Sequence, residues 1–236
     1  MRASGILLPV SSLPGKYGIG SFSEEAYKFV DFLKDSKQQY WQILPIGPTS
    51  YGDSPYQSFS TYAGNPYFIS LEELIEQKLL TEKECDKVDF GNKIDKVDYE
   101  KLYNGRFKLL KKAYKRSNIR EREEFKKFKD ENQYWLNDYA MFMAIKERFK
   151  GQSFDNWAED IKLRWGYSME YYQNELKEEI EFYEFVQYEF YRQWYKLKKY
   201  ANDNGVKIIG DIPIYVAYDS ADVWSHPELF LSLIHI

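Results

Sequence analysis

The chain has 236 residues, 44% of them hydrophobic and 19% aromatic, which is ample for a folded core and excludes a disordered chain despite 30% charged residues. Its formal net charge of -4 and pI near 5.5 exclude the strongly basic class that binds nucleic acid. No stretch reaches the ~18 apolar residues of a membrane span, and a single cysteine, Cys85, leaves no internal disulfide and nothing that calls for an oxidising compartment.

Gly5-Ile-Leu-Leu-Pro-Val10 reads as a buried strand. It is too short for a secretory core and is not followed by a cleavage pattern, so the expected location is the cytoplasm. Residues 11–20 read as the loop leaving that strand. Ser21 and Glu24 then have the spacing of a capping box, and Ala26, Phe29, Val30 and Leu33 form a helical stripe behind them. Tyr40-Trp-Gln-Ile-Leu-Pro-Ile46 supplies a second strand. Strand, loop, helix, strand is a βαβ unit, in which helices are expected to cover both strands. Gly15, Gly18 and Gly20 approach a dinucleotide fingerprint, but the frame from Gly18 has Ser23 where the third glycine belongs.

The next stretch is Ser50-Tyr-Gly-Asp-Ser-Pro-Tyr-Gln-Ser-Phe-Ser-Thr-Tyr-Ala-Gly-Asn-Pro-Tyr67, where turn formers alternate with aromatics and hydroxyls. Such a loop presents flat faces and hydrogen-bonding edges together. That suits a sugar, whose C–H face packs on a ring while its rim of hydroxyls needs donors and acceptors. The plainer alternative is a surface loop whose tyrosines tuck back into the core. Gly52-Asp-Ser-Pro-Tyr56 approaches the G-x-S-x-G elbow of serine hydrolases, but a tyrosine ends it and a proline after Ser54 does not suit the sharp turn.

Residues 71–204 change character to Lys- and Glu-rich helices, an insertion grown out of the loop after strand two. Ser70 with Glu73 and Thr81 with Glu84 have capping-box spacing. Leu136, Tyr139, Ala140 and Met143 make a stripe that should stop before Gly151. Phe182, Phe185, Val186, Phe190, Trp194 and Leu197 make another, on a helix returning the chain to the sheet. The basic residues between 108 and 129 are interleaved with Glu121, Glu123 and Glu124, which reads as a solvated helix face and not an RNA surface. The third strand lies in Val206-Lys-Ile-Ile-Gly-Asp-Ile-Pro-Ile-Tyr-Val-Ala217 and leads into Asp211. A carboxylate at the C-terminal end of a parallel strand is where α/β barrels carry their chemistry, although an aspartate ahead of Ile-Pro also suits a turn.

Residues 40–67 closely resemble, almost without gaps, the signature of the amylomaltases, the 4-alpha-glucanotransferases also called disproportionating enzymes. Gly210-Asp-Ile-Pro-Ile-Tyr-Val-Ala-Tyr-Asp-Ser-Ala-Asp-Val-Trp-Ser-His-Pro-Glu-Leu-Phe230 is similar to that family's third-strand block. The resemblance is strong over residues 5–67 and 193–230 and loose over the insertion. It implies an α/β fold, a (β/α)8 TIM barrel, truncated after about the third strand because three strands cannot close an eight-stranded barrel. The expected organisation is two βα units with the sugar loop over residues 1–70, a helical insertion over 71–204 and the third strand with its loop over 205–230. Residues 231–236 depart from the family pattern and can be encoded by a sequence resembling a transposon-end adapter, so they are expected to be a non-native tail.

The resemblance also implies a mechanism. A carboxylate attacks the anomeric carbon to form a covalent glycosyl-enzyme, and a second carboxylic acid protonates the leaving sugar and later activates the 4-hydroxyl of an acceptor glucan. In the family that nucleophilic Asp follows strand four and the acid/base Glu follows strand five, so no catalytic residue is expected in this chain. What the family pattern assigns here is substrate binding. Tyr56 is the platform against the sugar at the cleavage point, Asp53 and Ser54 lie near its hydroxyls, and Tyr51 is a candidate for more distant stacking. Asp211 is expected to hydrogen-bond within the catalytic cluster. The expected partner is a maltooligosaccharide or other 1,4-alpha-glucan, with no cofactor, metal, nucleic acid or membrane. An alpha-glucan hydrolase and a non-catalytic glucan-binding module are the alternatives.

Overall fold

The computed structural model describes residues 2–91 and 95–230; the expected tail at 231–236 lies outside them. Three short strands, β1 (Gly5–Leu7), β2 (Tyr40–Gln42) and β3 (Lys207–Ile209), form a parallel sheet in the order β1-β2-β3. Tyr40 lies level with Gly5 on one side and Lys207 on the other. The helices are α1 (Glu24–Asp35), α2 (Leu71–Glu76), α3 (Glu82–Asp86), α4 (Tyr99–Arg116), α5 (Glu123–Arg148), α6 (Glu159–Lys162), α7 (Gly166–Glu175), α8 (Lys177–Asp203) and α9 (Ala221–Ser225). The chain is therefore α/β. The described residues group into two compact units: unit 1 holds residues 2–46, 64–91, 95–121 and 188–212, and unit 2 holds 47–63, 122–187 and 213–230.

In unit 1 the sheet is centred on Trp41, which is fully buried and donates its indole N–H to the Leu8 carbonyl at 2.8 Å. Phe29 of α1 meets its ring edge-on at 5.1 Å. Of the stripe read on α1, Ala26, Val30 and Leu33 are fully buried and Phe29 is half-buried. A second aromatic knot joins Phe22 to Phe68, Phe190 and Trp194, with centroids 5.2 to 6.0 Å apart. Arg106 of α4 is buried to 1% and binds two loops at once, donating to the Tyr17 carbonyl at 3.3 Å and to the Ile69 carbonyl. Burial pushes its pKa down to about 10. Those hydrogen bonds and the field of the Glu72 carboxylate offset part of that desolvation.

The structure corrects several sequence expectations. The first strand stops at Leu7, and Val10–Ser12 is a 3-10 turn. Leu7, 54% exposed, and Ile209, 44% exposed, lie on uncovered parts of the sheet, as expected where three strands do not close a barrel. The helix starting after Ser21 takes Ser23 as its N-cap, without a side-chain capping bond, so the Ser21–Glu24 spacing is not a capping box. Ser70 does cap α2 through the Glu73 N–H, but Glu73 turns away to Arg192 at 2.8 Å and the Ser70 N–H goes to Gln193 at 2.7 Å. A long-range charge partner outcompetes the local return bond there. Thr81 and Glu84 do form the reciprocal box.

Unit 2 is built on α5 and α9. Tyr139, Phe142 and Ile145 of α5 are buried, as is Trp224 of α9, whose indole N–H donates to the Ile161 carbonyl at 3.1 Å. Phe142, Trp157 and Trp224 form an aromatic triangle with centroids 5.4 to 5.9 Å apart. Among the described residues, no helix is long and apolar enough to cross a membrane.

Candidate functional site

The aromatic loop is closed at its base by an antiparallel bridge between Thr49 and Ser58 and by the Ser50 N–H donating to the Gln57 carbonyl at 3.0 Å. Between them the chain makes a tight turn, Tyr51–Asp53, with Gly52 at φ 81° and Asp53 at φ 53°. Two successive left-handed residues are strained for anything but glycine, and aspartate is among the side chains that tolerate this conformation best. The Thr49 hydroxyl reaches the Asp53 carboxylate at 3.5 Å, at the limit of a hydrogen bond. The Ser54 hydroxyl accepts the Tyr56 N–H at 3.3 Å, and the Gln57 N–H donates to the Ser54 carbonyl at 3.1 Å. The effect is to aim Tyr56 outward, 46% exposed, from a turn whose backbone is tied on both sides.

Asp53 is half-buried, and loss of hydration pushes its carboxyl above the ordinary value, opposed by the Thr49 hydroxyl. A carboxylate deprived of water can exchange missing hydration for ligand hydroxyls. Asp53, Ser54 and Tyr56 thus share one turn. The side chain of Tyr51 lies outside what the structure describes, so only its backbone place in that turn is known. Asp211 belongs to unit 1, two residues beyond β3, half-buried, with its carboxylate accepting the Ile212 N–H at 2.9 Å.

Sequence reasoning missed the residues that hold the loop in place. Its return half is fastened within unit 2 by the segment around α9. The Thr61 N–H donates to the Asp222 carboxylate at 2.9 Å, and the Ala221 N–H to the Phe59 carbonyl at 2.8 Å. Desolvation raises the pKa of Asp222, and the Thr61 N–H counters it. Lys146, buried to 5%, pairs with Asp219 and stands over the Phe59 and Phe142 rings at 5.1 and 5.6 Å. Asp219 also accepts the Phe154 N–H at 3.2 Å. One signal was available: Lys146 follows Tyr139 and Phe142 on the same helical stripe, where a lone cation implies a buried partner.

A separate cavity of about 650 Å³ in unit 1 is lined by Glu24, Glu25, Glu72, Glu73 and Glu76, with Lys16 and Lys196 among its walls. None of the residues named above for sugar binding lines it. Among the described residues no group of three or more His, Cys, Asp or Glu side chains could hold a metal ion.

Residues 8–234 match the family described as 4-alpha-glucanotransferase. Among curated relatives, the 4-alpha-glucanotransferase of Clostridium butyricum is 52% identical over 94% of this chain and 46% of its own length. That of Streptococcus pneumoniae serotype 4 is 51% identical over 97% and 46%. The chain thus spans about half the length of the curated relatives it matches. Among solved structures, amylomaltase from Streptococcus agalactiae in complex with acarbose superposes with a TM-score of 0.93 at 44% identity, covering 99% of this chain and 48% of that one. The amylomaltase of Corynebacterium glutamicum, at 20% identity and a TM-score of 0.73, shares the fold.

Proposed function

This chain belongs to the 4-alpha-glucanotransferase family, and on that premise we propose that the intact protein moves a segment of a 1,4-alpha-glucan onto the 4-hydroxyl of an acceptor glucan or glucose. The observation that carries this reading furthest is the tied turn that holds the half-buried Asp53 and leaves Tyr56, three residues on, exposed. The phenol ring serves as the platform for a glucose face at the cleavage point. Asp53 and Ser54 accept and donate to its hydroxyls, and Tyr51 stacks a more distant residue. Asp211, beyond the third strand, supports the catalytic cluster by hydrogen bonding.

The barrel reading follows from the same premise. The parallel β1-β2-β3 order supports three consecutive βα units of a (β/α)8 barrel, with residues 71–204 inserted after the second. The attacking carboxylate and the acid/base are assigned to the ends of the fourth and fifth strands, by the retaining double displacement of this enzyme class. In transfer, the acceptor hydroxyl must win against water, and aromatic subsites that hold the acceptor in line supply that advantage. A single cysteine, Cys85, allows no internal disulfide, so the chain has no bond that calls for an oxidising compartment, which supports the cytoplasm.

Incubating the intact protein with maltotriose and resolving the products tests this. Longer and shorter maltooligosaccharides together are expected. Shorter sugars alone would make it a hydrolase, and no turnover would leave a glucan-binding module. Tyr56→Ala is expected to lower transfer by about a hundredfold, the scale on which loss of substrate positioning acts. Turnover at the wild-type rate would refute the platform.

A further inference from the structure

An exposed tyrosine seldom has anything that fixes its ring. Tyr62 is 47% exposed yet held on several sides within unit 2. The preceding peptide is tied to Asp222 through the Thr61 N–H at 2.9 Å, and the Tyr62 and Ala63 N–H groups both donate to the Ser60 hydroxyl, at 3.2 and 3.3 Å. The ring itself lies on the indole of Trp135, 6.1 Å between centroids and 25° from parallel. That indole is 6% exposed and is locked in turn by its N–H to Asn132 at 3.1 Å. Tyr134, 62% exposed, stands beside Tyr62 with centroids 5.4 Å apart and planes at 85°.

Two phenol rings at a right angle make a corner, and one wall of it is backed by a buried indole. The ordering cost of that wall is met before any ligand arrives, which is the economy of a preorganised site. The chemistry offered is a flat apolar face beside a second ring edge, each ending in a hydroxyl. A pyranose chain has the complementary pattern of C–H faces and a hydroxyl rim. A protein partner would be met by a broader apolar patch than two tyrosines. Tyr62 lies six residues after Tyr56 in the same aromatic loop.

We propose that Tyr62 and Tyr134 form a further glucan-binding site, which takes a stretch of 1,4-alpha-glucan outside the bond being exchanged. The proposal rests on the glucan-transfer reading of the protein.

Affinity electrophoresis of the intact protein through gels containing soluble amylose tests it. Tyr134→Ala places the best helix former at an exposed position of α5, so folding is not at stake. Its affinity for amylose should fall about fivefold, the scale of one lost aromatic contact. Tyr62→Ala should fall at least as far, while Tyr62→Phe, which keeps the ring and its stacking, should retain most of the retardation. If Tyr134→Ala and Tyr62→Ala migrate as the wild type does, the corner is overturned, and wild-type disproportionation of maltotriose shows that the transferase reading survives. A wild type that amylose does not retard also overturns it, and maltotriose turnover again tells whether that reading falls too. A dimer in light scattering that Tyr134→Ala dissolves would overturn it in favour of a self-contact.

Discussion

The aromatic stretch between Ser50 and Tyr67 has one composition and two fates. In its first half, Gly52, Tyr56 and Gln57 are exposed, and the turn is built from two left-handed residues with nothing within 4 Å of where a Gly52 Cβ would stand. In its second half everything from Ala63 to Ser70 is buried. Within unit 1, Asn65 caps the Tyr67 N–H at 2.9 Å, Tyr67 meets Tyr99 and Phe107, and a Cβ on Gly64 would stand 2.0 Å from the Phe190 ring. The same tyrosines and glycines therefore serve presentation in one half and packing in the other. Sugar-like chemistry in a sequence does not by itself say which residues a sugar can reach.

Substitutions sharpen the contrast by separating stability from activity. The largest loss of stability is expected for Ile69→Ala, since Ile69 is fully buried and truncating such a side chain costs about 2–5 kcal/mol. Gly64→Ala should follow at about 1–3 kcal/mol, because the Phe190 ring must shift to admit a methyl group. Both are read as urea midpoints, and an unchanged midpoint for either would show the second half to be looser than its packing implies. Gly52→Ala should cost about 1 kcal/mol from backbone strain alone, with open space around it.

A smaller effect should appear with pH. Because Asp222 has a carboxyl pKa raised above 3.8 in the fold, the folded state holds its proton more tightly than the unfolded chain. Its stabilising contribution is complete below pH 3.8 and is lost as pH rises through the raised value. Asp222→Asn keeps an oxygen for the Thr61 N–H and should flatten that segment of a thermal-midpoint profile against pH; an unaltered slope would show that Asp222 titrates normally. Least of all should Tyr56→Ala disturb stability, within about 0.5 kcal/mol for a surface change, although it removes the proposed platform.

Legibility followed the range of the interactions. The stripes of α1, α5 and α8 were readable because a helix repeats its buried positions every three or four residues, so burial leaves a local trace. The Thr81–Glu84 box was readable for the same reason, as both partners lie within one turn. Ser70 and Glu73 carry the same spacing and fail to close the box, because Arg192 and Gln193, more than a hundred residues away in sequence, take their free groups. The strands were overextended in the reading because apolar runs do not mark where pairing stops.

By itself the sequence determined the α/β class, the family and the turn that presents Asp53, Ser54 and Tyr56, all of which are written in contiguous residues. Tertiary structure alone decided that Arg106 would bind carbonyls 89 and 37 residues away, that Lys146 would find Asp219 at a separation of 73, and that Tyr62 would stand on Trp135 while Tyr67 was buried. The reason is that a buried charge or an exposed ring is defined by partners the chain brings together only after it has folded, and no local period records them.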